Sequence, residues 1–406
     1  MPKMSSFTSK TLTVSTIRET RSISYYHTFV NPNPYGVAFG GDDDYGDSID
    51  IDGNYCIVGA KSESNSVGSG AVGSAYIYDL ATKTLLHTLA NPTDTAIEYF
   101  GTDVAISGNY AAVSAYGYPN GGFSGRVYVF NVTTGGLVHT LNNPNPYSTT
   151  SQDRFGNQIA MSGNYLIVGA YQEDDAGGAE SGKSYIYNVT TGGLLFTLNN
   201  PNPYSTSAAD YFGDKIAMSG NYAIIGTEYE DDAGGTSSGK AYIYNVTTGA
   251  LVHTLNNPNA YGTSAGDVFG RSVDIFGNYA IVGADNEDDG NSSSGKAYIF
   301  NVTTGALVYT LDNPNAYGTT ATDVFGSKVA INDHYAFVAA SGEDAAGKTN
   351  VGRVYIFDLT TGGLVRTLDP ITPSDFTAIA ATALSVSSNY LMMDFSPKTV
   401  YVYKTF

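Results

Sequence analysis

Residues 155 to 170 read Phe-Gly-Asn-Gln-Ile-Ala-Met-Ser-Gly-Asn-Tyr-Leu-Ile-Val-Gly-Ala. An aromatic-Gly pair opens the stretch, a tight Ser162-Gly163-Asn164 turn divides it, and an unbroken apolar run from Tyr165 to Ala170 closes it. A run that is apolar at every position suits a strand whose sheet is covered on both faces, because a strand with one wet face alternates. The Gly-Asn-Tyr phrase, or a close variant, recurs with its tyrosine at Tyr55, Tyr110, Tyr165, Tyr222, Tyr279, Tyr335 and Tyr390, a spacing of 55 to 57 residues. Ten residues before the tyrosine stand Tyr45-Gly46, Phe100-Gly101, Phe155-Gly156, Phe212-Gly213, Phe269-Gly270 and Phe325-Gly326, and the seventh copy has Ala380-Ala381. A fixed period of this kind marks an architecture in which each unit buries its faces only against its neighbours.

Outward from this stretch, the unit reads as four short strands: Gly156 to Met161, Tyr165 to Ala170, Ser184 to Tyr187 and Leu194 to Leu198. Four strands per unit is the pattern of a propeller blade, and seven copies predict an all-β, seven-bladed β-propeller. The blades fall at about 43–91, 98–143, 153–200, 210–257, 267–313, 323–369 and 378–406, the last completed by residues 24–30. That completion is expected because the seventh copy stops after its third strand, Val400 to Tyr403, whereas Tyr25 to Tyr35 matches the fourth-strand phrase of Leu137 to Tyr147. An amino-terminal outer strand would then clasp the carboxy-terminal blade and remove the open edge. Residues 1–22 form a separate Ser/Thr-rich arm, and 23–406 the propeller.

The net charge of −19, from 38 acidic and 19 basic residues, repels a phosphate backbone and excludes nucleic-acid binding. Lys3, Lys10, Arg18 and Arg21 against Glu19 make the arm basic and leave −22 on the body. No apolar run reaches the length of a membrane span, and no secretory signal is expected at the start. The lone Cys56 lies in an apolar run and reads as a small buried hydrophobe.

The aromatic-Gly pairs followed by Val-Gly-Ala, as in Phe269-Gly270 and Val282-Gly283-Ala284, resemble the FG-GAP repeat of integrin α-subunit propellers and many microbial surface proteins. The resemblance covers residues 24 to 406 and implies a seven-bladed propeller that binds partners through the loops of one face. Members of that family often carry an Asp-rich calcium loop between the first and second strands. Here a tight turn stands in its place, so the chain is similar to the short-turn bacterial and viral variety.

Because strands alternate in direction, the loops from strand two to three and from strand four to the next blade share one face, and both are long here. Long polar loops on a rigid scaffold are where recognition concentrates, and Tyr147, Tyr204, Tyr261 and Tyr317 are the candidate ligand contacts, with packing between blades as their structural alternative. Acidic clusters on the same face include Asp174 and Asp175, Asp231 and Asp232, and Asp288 and Asp289, each led by a glutamate. Oxygen donors of this density suit Ca²⁺, although no cofactor is required by the fold. The competing reading is internal pairing of the lysine that opens the third strand with the acid before the aromatic-Gly pair: Asp153 with Lys183, Asp210 with Lys240, Asp267 with Lys296.

Other motifs yield to the repeat. Gly177-x4-Gly182-Lys183-Ser184 matches a phosphate-binding expression but feeds a strand where that loop needs a helix. The sequons at Asn131, Asn188, Asn245 and Asn301 alternate with Asp79 and Asp358, which points to an Asx-capped turn. His27, His87, His139 and His253 share one position with Phe196, Tyr309 and Arg366, an unsuitable pattern for a general base. With no nucleophile elbow, no His/Cys cluster and no tryptophan for sialidase-type Asp boxes, catalysis is not expected. The expectation is a non-catalytic display or recognition protein of a virion, such as a phage tail or capsid appendage, tethered to other virion or surface-assembly proteins by its arm. It would bind a cell-surface glycan or protein without inserting into a membrane. A microbial cell-surface or secreted adhesin and an architectural spacer are the alternatives.

Overall fold

The computed structural model describes residues 23–405 apart from 33–42, 65–69, 120, 145–151, 175–177, 202–208, 233–234, 259–263, 289–292, 315–321, 345–349, 351, 369–382 and 397–398. The basic arm and Ala380-Ala381 lie outside the described residues. Every regular element among those described is a strand, and the strands form seven separate four-stranded antiparallel sheets. In the third blade they are Ile159–Ser162, Tyr165–Ala170, Lys183–Asn188 and Gly193–Asn199, hydrogen-bonded in chain order. The first strand starts later than Gly156 because the aromatic-Gly pair is not extended: Gly156 has φ +88° and donates its N–H to the Gly169 carbonyl at 2.8 Å.

The core consists of seven apolar clusters, and each draws on two adjacent blades. This is why the second strands are apolar on both faces, with Leu166, Ile167 and Val168 all fully buried. The two signature glycines meet at these junctions. A Cβ on Gly169 would lie 2.0 Å from the Gly213 carbonyl oxygen of the next blade, and the same clash recurs for Gly226 on Gly270 and Gly283 on Gly326. The repeat motif is thus a backbone-to-backbone contact that only hydrogen side chains permit.

The ring closes as the sequence predicts. Ile23–Val30 pairs antiparallel with Thr399–Thr405, Ile23 facing Thr405 and Val30 facing Thr399, in the sheet that also holds Tyr390–Ser396 and Leu384–Val386. Side chains lock the joint: Phe29 stacks on Tyr78 of the first blade with centroids 4.2 Å apart, the Tyr26 hydroxyl donates to the Leu80 carbonyl at 2.8 Å, and Arg366 of the sixth blade donates to the Ile23 carbonyl.

The outer strands carry a bulge at one repeat position, where Leu195 is skipped between the Ile186–Phe196 and Tyr187–Leu194 pairs. The same slip follows Ile77, Val129, Ile243, Ile299 and Ile356. A bulge twists the exposed edge and discourages pairing with another chain. The histidine position lies beside it. His87 Nε2 contacts the Thr133 carbonyl of the next blade at 3.0 Å, His253 does the same to Thr303 at 3.1 Å, and each ring covers a turn glycine, Gly135 and Gly305. The position is a blade-to-blade contact, which Phe196 over Gly249 and Tyr309 over Gly362 serve equally. The sequon residues cap their turns: Asn131 Oδ1 accepts from the N–H groups of Thr133 and Thr134, and Asp358 Oδ1 from those of Thr360 and Thr361. Cys56 is a buried free thiol whose pKa burial raises.

Candidate functional site

The loop between the second and third strands is held by a buried polar triad in the third, fourth and sixth blades. Lys183 and Tyr185 are two apart on the third strand, so both side chains leave the same face. They converge on Glu173 of the preceding loop. The Lys183 ammonium is 2.7 Å from Glu173 Oε1, and the Tyr185 hydroxyl donates to the same carboxylate at 2.6 to 2.7 Å. Glu173 has no solvent exposure and Lys183 only 2%. The arrangement recurs as Glu230 with Lys240 and Tyr242, and as Glu343 with Arg353 and Tyr355, while Glu287 takes Tyr298 and Lys296 pairs with Asp312. In the first blade Ser74 stands where the base would be. There Glu63 receives the Tyr76 hydroxyl, and burial lifts its pKa to about 7.

The pairing expected from sequence is thereby redrawn. Asp153, Asp210 and Asp267 each accept a side-chain amide hydrogen bond, from Asn143, Asn200 and Asn257, at 2.8 to 2.9 Å. These asparagines follow the fourth strands, so the bond anchors the long connection to the next blade at its base. The second residue of each acidic cluster is also engaged within its own loop. Asp174 Oδ1 accepts the Glu180 N–H at 2.9 Å, Asp231 that of Ser237 at 2.9 Å, and Asp288 that of Ser293 at 2.7 Å. Asp232 exchanges backbone bonds with Gly235. Asp175 and Asp289 lie outside the described residues, and among those described no group of three or more His, Cys, Asp or Glu is gathered to hold a metal. Tyr147, Tyr204, Tyr261 and Tyr317 are likewise outside the described residues.

The long-loop face has a feature that the sequence reading missed. Two repeat positions frame the inner end of each blade there: the residue before the aromatic-Gly pair and the residue after the second strand. In the second to fourth blades these positions are Tyr99 and Tyr116, Arg154 and Tyr171, and Tyr211 and Glu228, with Tyr229 following. The rings form a contiguous belt. Tyr99 stacks on Tyr116 at 5.4 Å, Tyr116 touches Phe123 at 5.6 Å, and Tyr171, Tyr211 and Tyr229 meet edge to face at 5.5 Å each. The Arg154 guanidinium bridges the two groups, 5.6 Å from Tyr116, 5.4 Å from Phe123 and 5.7 Å from Tyr171. All of these side chains are part-exposed, Tyr229 most at 40%. The first, fifth and sixth blades place Asp44 and Lys61, Val268 and Asp285, and Val324 and Ser341 at the same two positions.

The inner strands surround an axial cavity of about 570 Å³. Lys215, Arg271 and Lys328 project from successive blades near its long-loop end. Lys215 pairs with Asp214 at 2.6 Å, and Arg271 lies between Glu228 and Asp285 at 3.7 and 3.5 Å. Enclosure, with Lys215 nearby, lowers the pKa of Lys328. Deeper in, Asp50, Asp103 and Asp274 accept the N–H groups of Ile106, Ile159 and Ile331 in the following blades at 2.7 to 2.8 Å. Burial raises their pKa values, to about 6 for Asp50 and about 7 for Asp103 and Asp274.

A sequence model of the FG-GAP repeat matches residues 93–130, 147–187, 203–244 and 259–300, which fall in the second to fifth blades. No curated protein matches the chain in a sequence search.

Proposed function

The chain belongs to the FG-GAP-repeat β-propellers, a family of binding and structural folds, and on that premise we propose that it is a non-catalytic recognition module whose long-loop face docks on a cell-surface ligand. The observation that carries this reading is the belt of part-exposed aromatic side chains. Six repeats of one sequence plan would place six similar pairs of residues around the axis, yet three adjacent blades carry rings and a guanidinium where the others carry unrelated side chains. Folding needs only the repeat, so a departure confined to one arc of one face is the mark of a contact surface. Tyrosine suits such a surface because it offers a rigid apolar face and a polar tip at small entropic cost. The triads and Asn-Asp bonds beneath hold the loops in place and pre-organise the face.

The test is binding of the labelled chain to a panel of microbial cells. Tyr171→Ala with Tyr229→Ala is expected to lower binding at least about tenfold while leaving the melting temperature within a few degrees. The four loop tyrosines, Tyr147, Tyr204, Tyr261 and Tyr317, are substituted in a parallel arm. Undiminished binding in both arms would refute the face assignment. Placement on a virion appendage rather than on a microbial surface remains part of the proposal, and mass spectrometry of purified particles distinguishes the two.

A further inference from the structure

Arg154 is the anomaly of the belt. The chain has 38 acidic residues for 19 basic ones, and three other inner cations of this face are paired, Lys61 with Asp47, Lys215 with Asp214, and Arg271 with Glu228 and Asp285, while Lys328 is enclosed in the axial cavity. Arg154 is held by three rings instead. Among the described residues no carboxylate is in salt-bridge reach of its guanidinium, and its buried Nε has no hydrogen-bond partner. Leaving a buried Nε–H without an acceptor is costly in a protein so rich in carboxylates, and stacking between rings fixes the orientation of the fork without consuming its donors. Tyr116 and Tyr171 flank it, and their hydroxyls place donors and acceptors at the edges of the apolar faces.

Building on the long-loop-face reading, we propose that the belt binds a sugar bearing a single oxyanion, its ring face lying on Tyr116 or Tyr171 and its anionic group on the guanidinium of Arg154. A pyranose has an apolar C–H face and a hydroxyl-bearing edge, the same division of surface that tyrosine presents. A planar oxyanion takes two parallel N–H donors from arginine. The −19 charge of the chain sets an upper limit on ligand charge: a densely charged polyanion is repelled, whereas one oxyanion in contact with Arg154 is attracted at short range. A row of part-exposed tyrosines, each with an apolar face and a polar tip, also fits an extended oligosaccharide better than a hydrophobic peptide.

Calorimetric titration of the full chain with three probes tests this: a neutral galacto-oligosaccharide ending in one galacturonic acid, the methyl ester of that uronate, and the same oligosaccharide carrying one sulfate ester in place of the uronate. The uronate or the sulfated probe should bind, and the neutral ester should bind at least about tenfold more weakly. Arg154→Gln should bring the anionic probe down to the level of the ester, and Tyr171→Ala should weaken both. Preference for the uronate over the sulfated sugar, or the reverse, identifies the oxyanion. Equal binding of ester and acid, or an unchanged affinity in a folded Arg154→Gln variant, overturns the proposal. Failure of all three probes to bind, with cell binding still abolished by Tyr171→Ala and Tyr229→Ala, overturns the sugar assignment and leaves the face standing. Cell binding untouched by the belt variants overturns the belt as the sugar site, and if the loop-tyrosine variants leave it untouched as well, the face reading falls with it.

Discussion

Glu173 shows how one side chain can be misread at the level of composition and read correctly at the level of direction. In the run Glu-Asp-Asp it resembles a cation-binding loop, and its neighbours Asp174 and Asp175 reinforce that impression. The signal for its true setting was the Lys-x-Tyr spacing of Lys183 and Tyr185, which puts a cation and a phenol on one face of a strand facing the loop. A fully buried carboxylate with an ammonium and a hydroxyl is costly to dismember, because each partner left behind keeps its desolvation penalty. Glu173→Gln is therefore expected to lower stability by about 3 kcal/mol, read from urea denaturation, and Glu173→Gln combined with Lys183→Met should restore part of the loss. A double variant no more stable than the single one would show that the ammonium draws its stability from elsewhere.

Among the elements, the first strands had the least legible role. Their apolar residues were visible, but Asp50, Asp103 and Asp274 appear in the sequence as ordinary acids at scattered places. Only the ring brings them to one axis, where each receives the backbone N–H of the next blade. Their folded pKa values of about 6 to 7 exceed the usual 3.8. Between about pH 4 and pH 7 the unfolded chain has released these protons while the folded chain retains them, so this contribution is fully present at acidic pH and is lost as pH rises through the folded values. The urea midpoint should accordingly fall from pH 5 to pH 8, and Asp103→Asn should flatten that slope. A midpoint rising over the same interval would contradict the assignment. The aromatic belt was hidden for a related reason. Tyr116, Arg154 and Tyr171 are far apart in the chain and occupy two different repeat positions, and the sequence contains no phrase that joins them. Repeat periodicity reveals what the blades share, whereas the belt consists of what three of them do not.

At the scale of the molecule the fold was almost wholly legible. Seven tyrosines at even spacing gave the blade count, and the missing fourth strand of the last copy gave the closure. What the copies do not encode is the means of cohesion, since the core is seven interfaces and no blade has an interior of its own. Stability is then distributed around the ring, and opening any junction exposes two apolar faces. A chain beginning at residue 33 leaves the Thr399–Thr405 edge bare and removes Phe29 from Tyr78. It should lose about 3 kcal/mol or more and form oligomers detectable by light scattering, and a peptide of residues 23–31 added in trans should return it to monomer. A monodisperse, equally stable truncated chain would rule out the clasp as the closing device. Because Ile23 lies opposite Thr405 in that antiparallel pair, a tensile load applied between these two points pulls its hydrogen bonds apart in succession rather than shearing them together. The seam therefore resists least when both strands are drawn apart from that side, and most when the load enters through one of them alone.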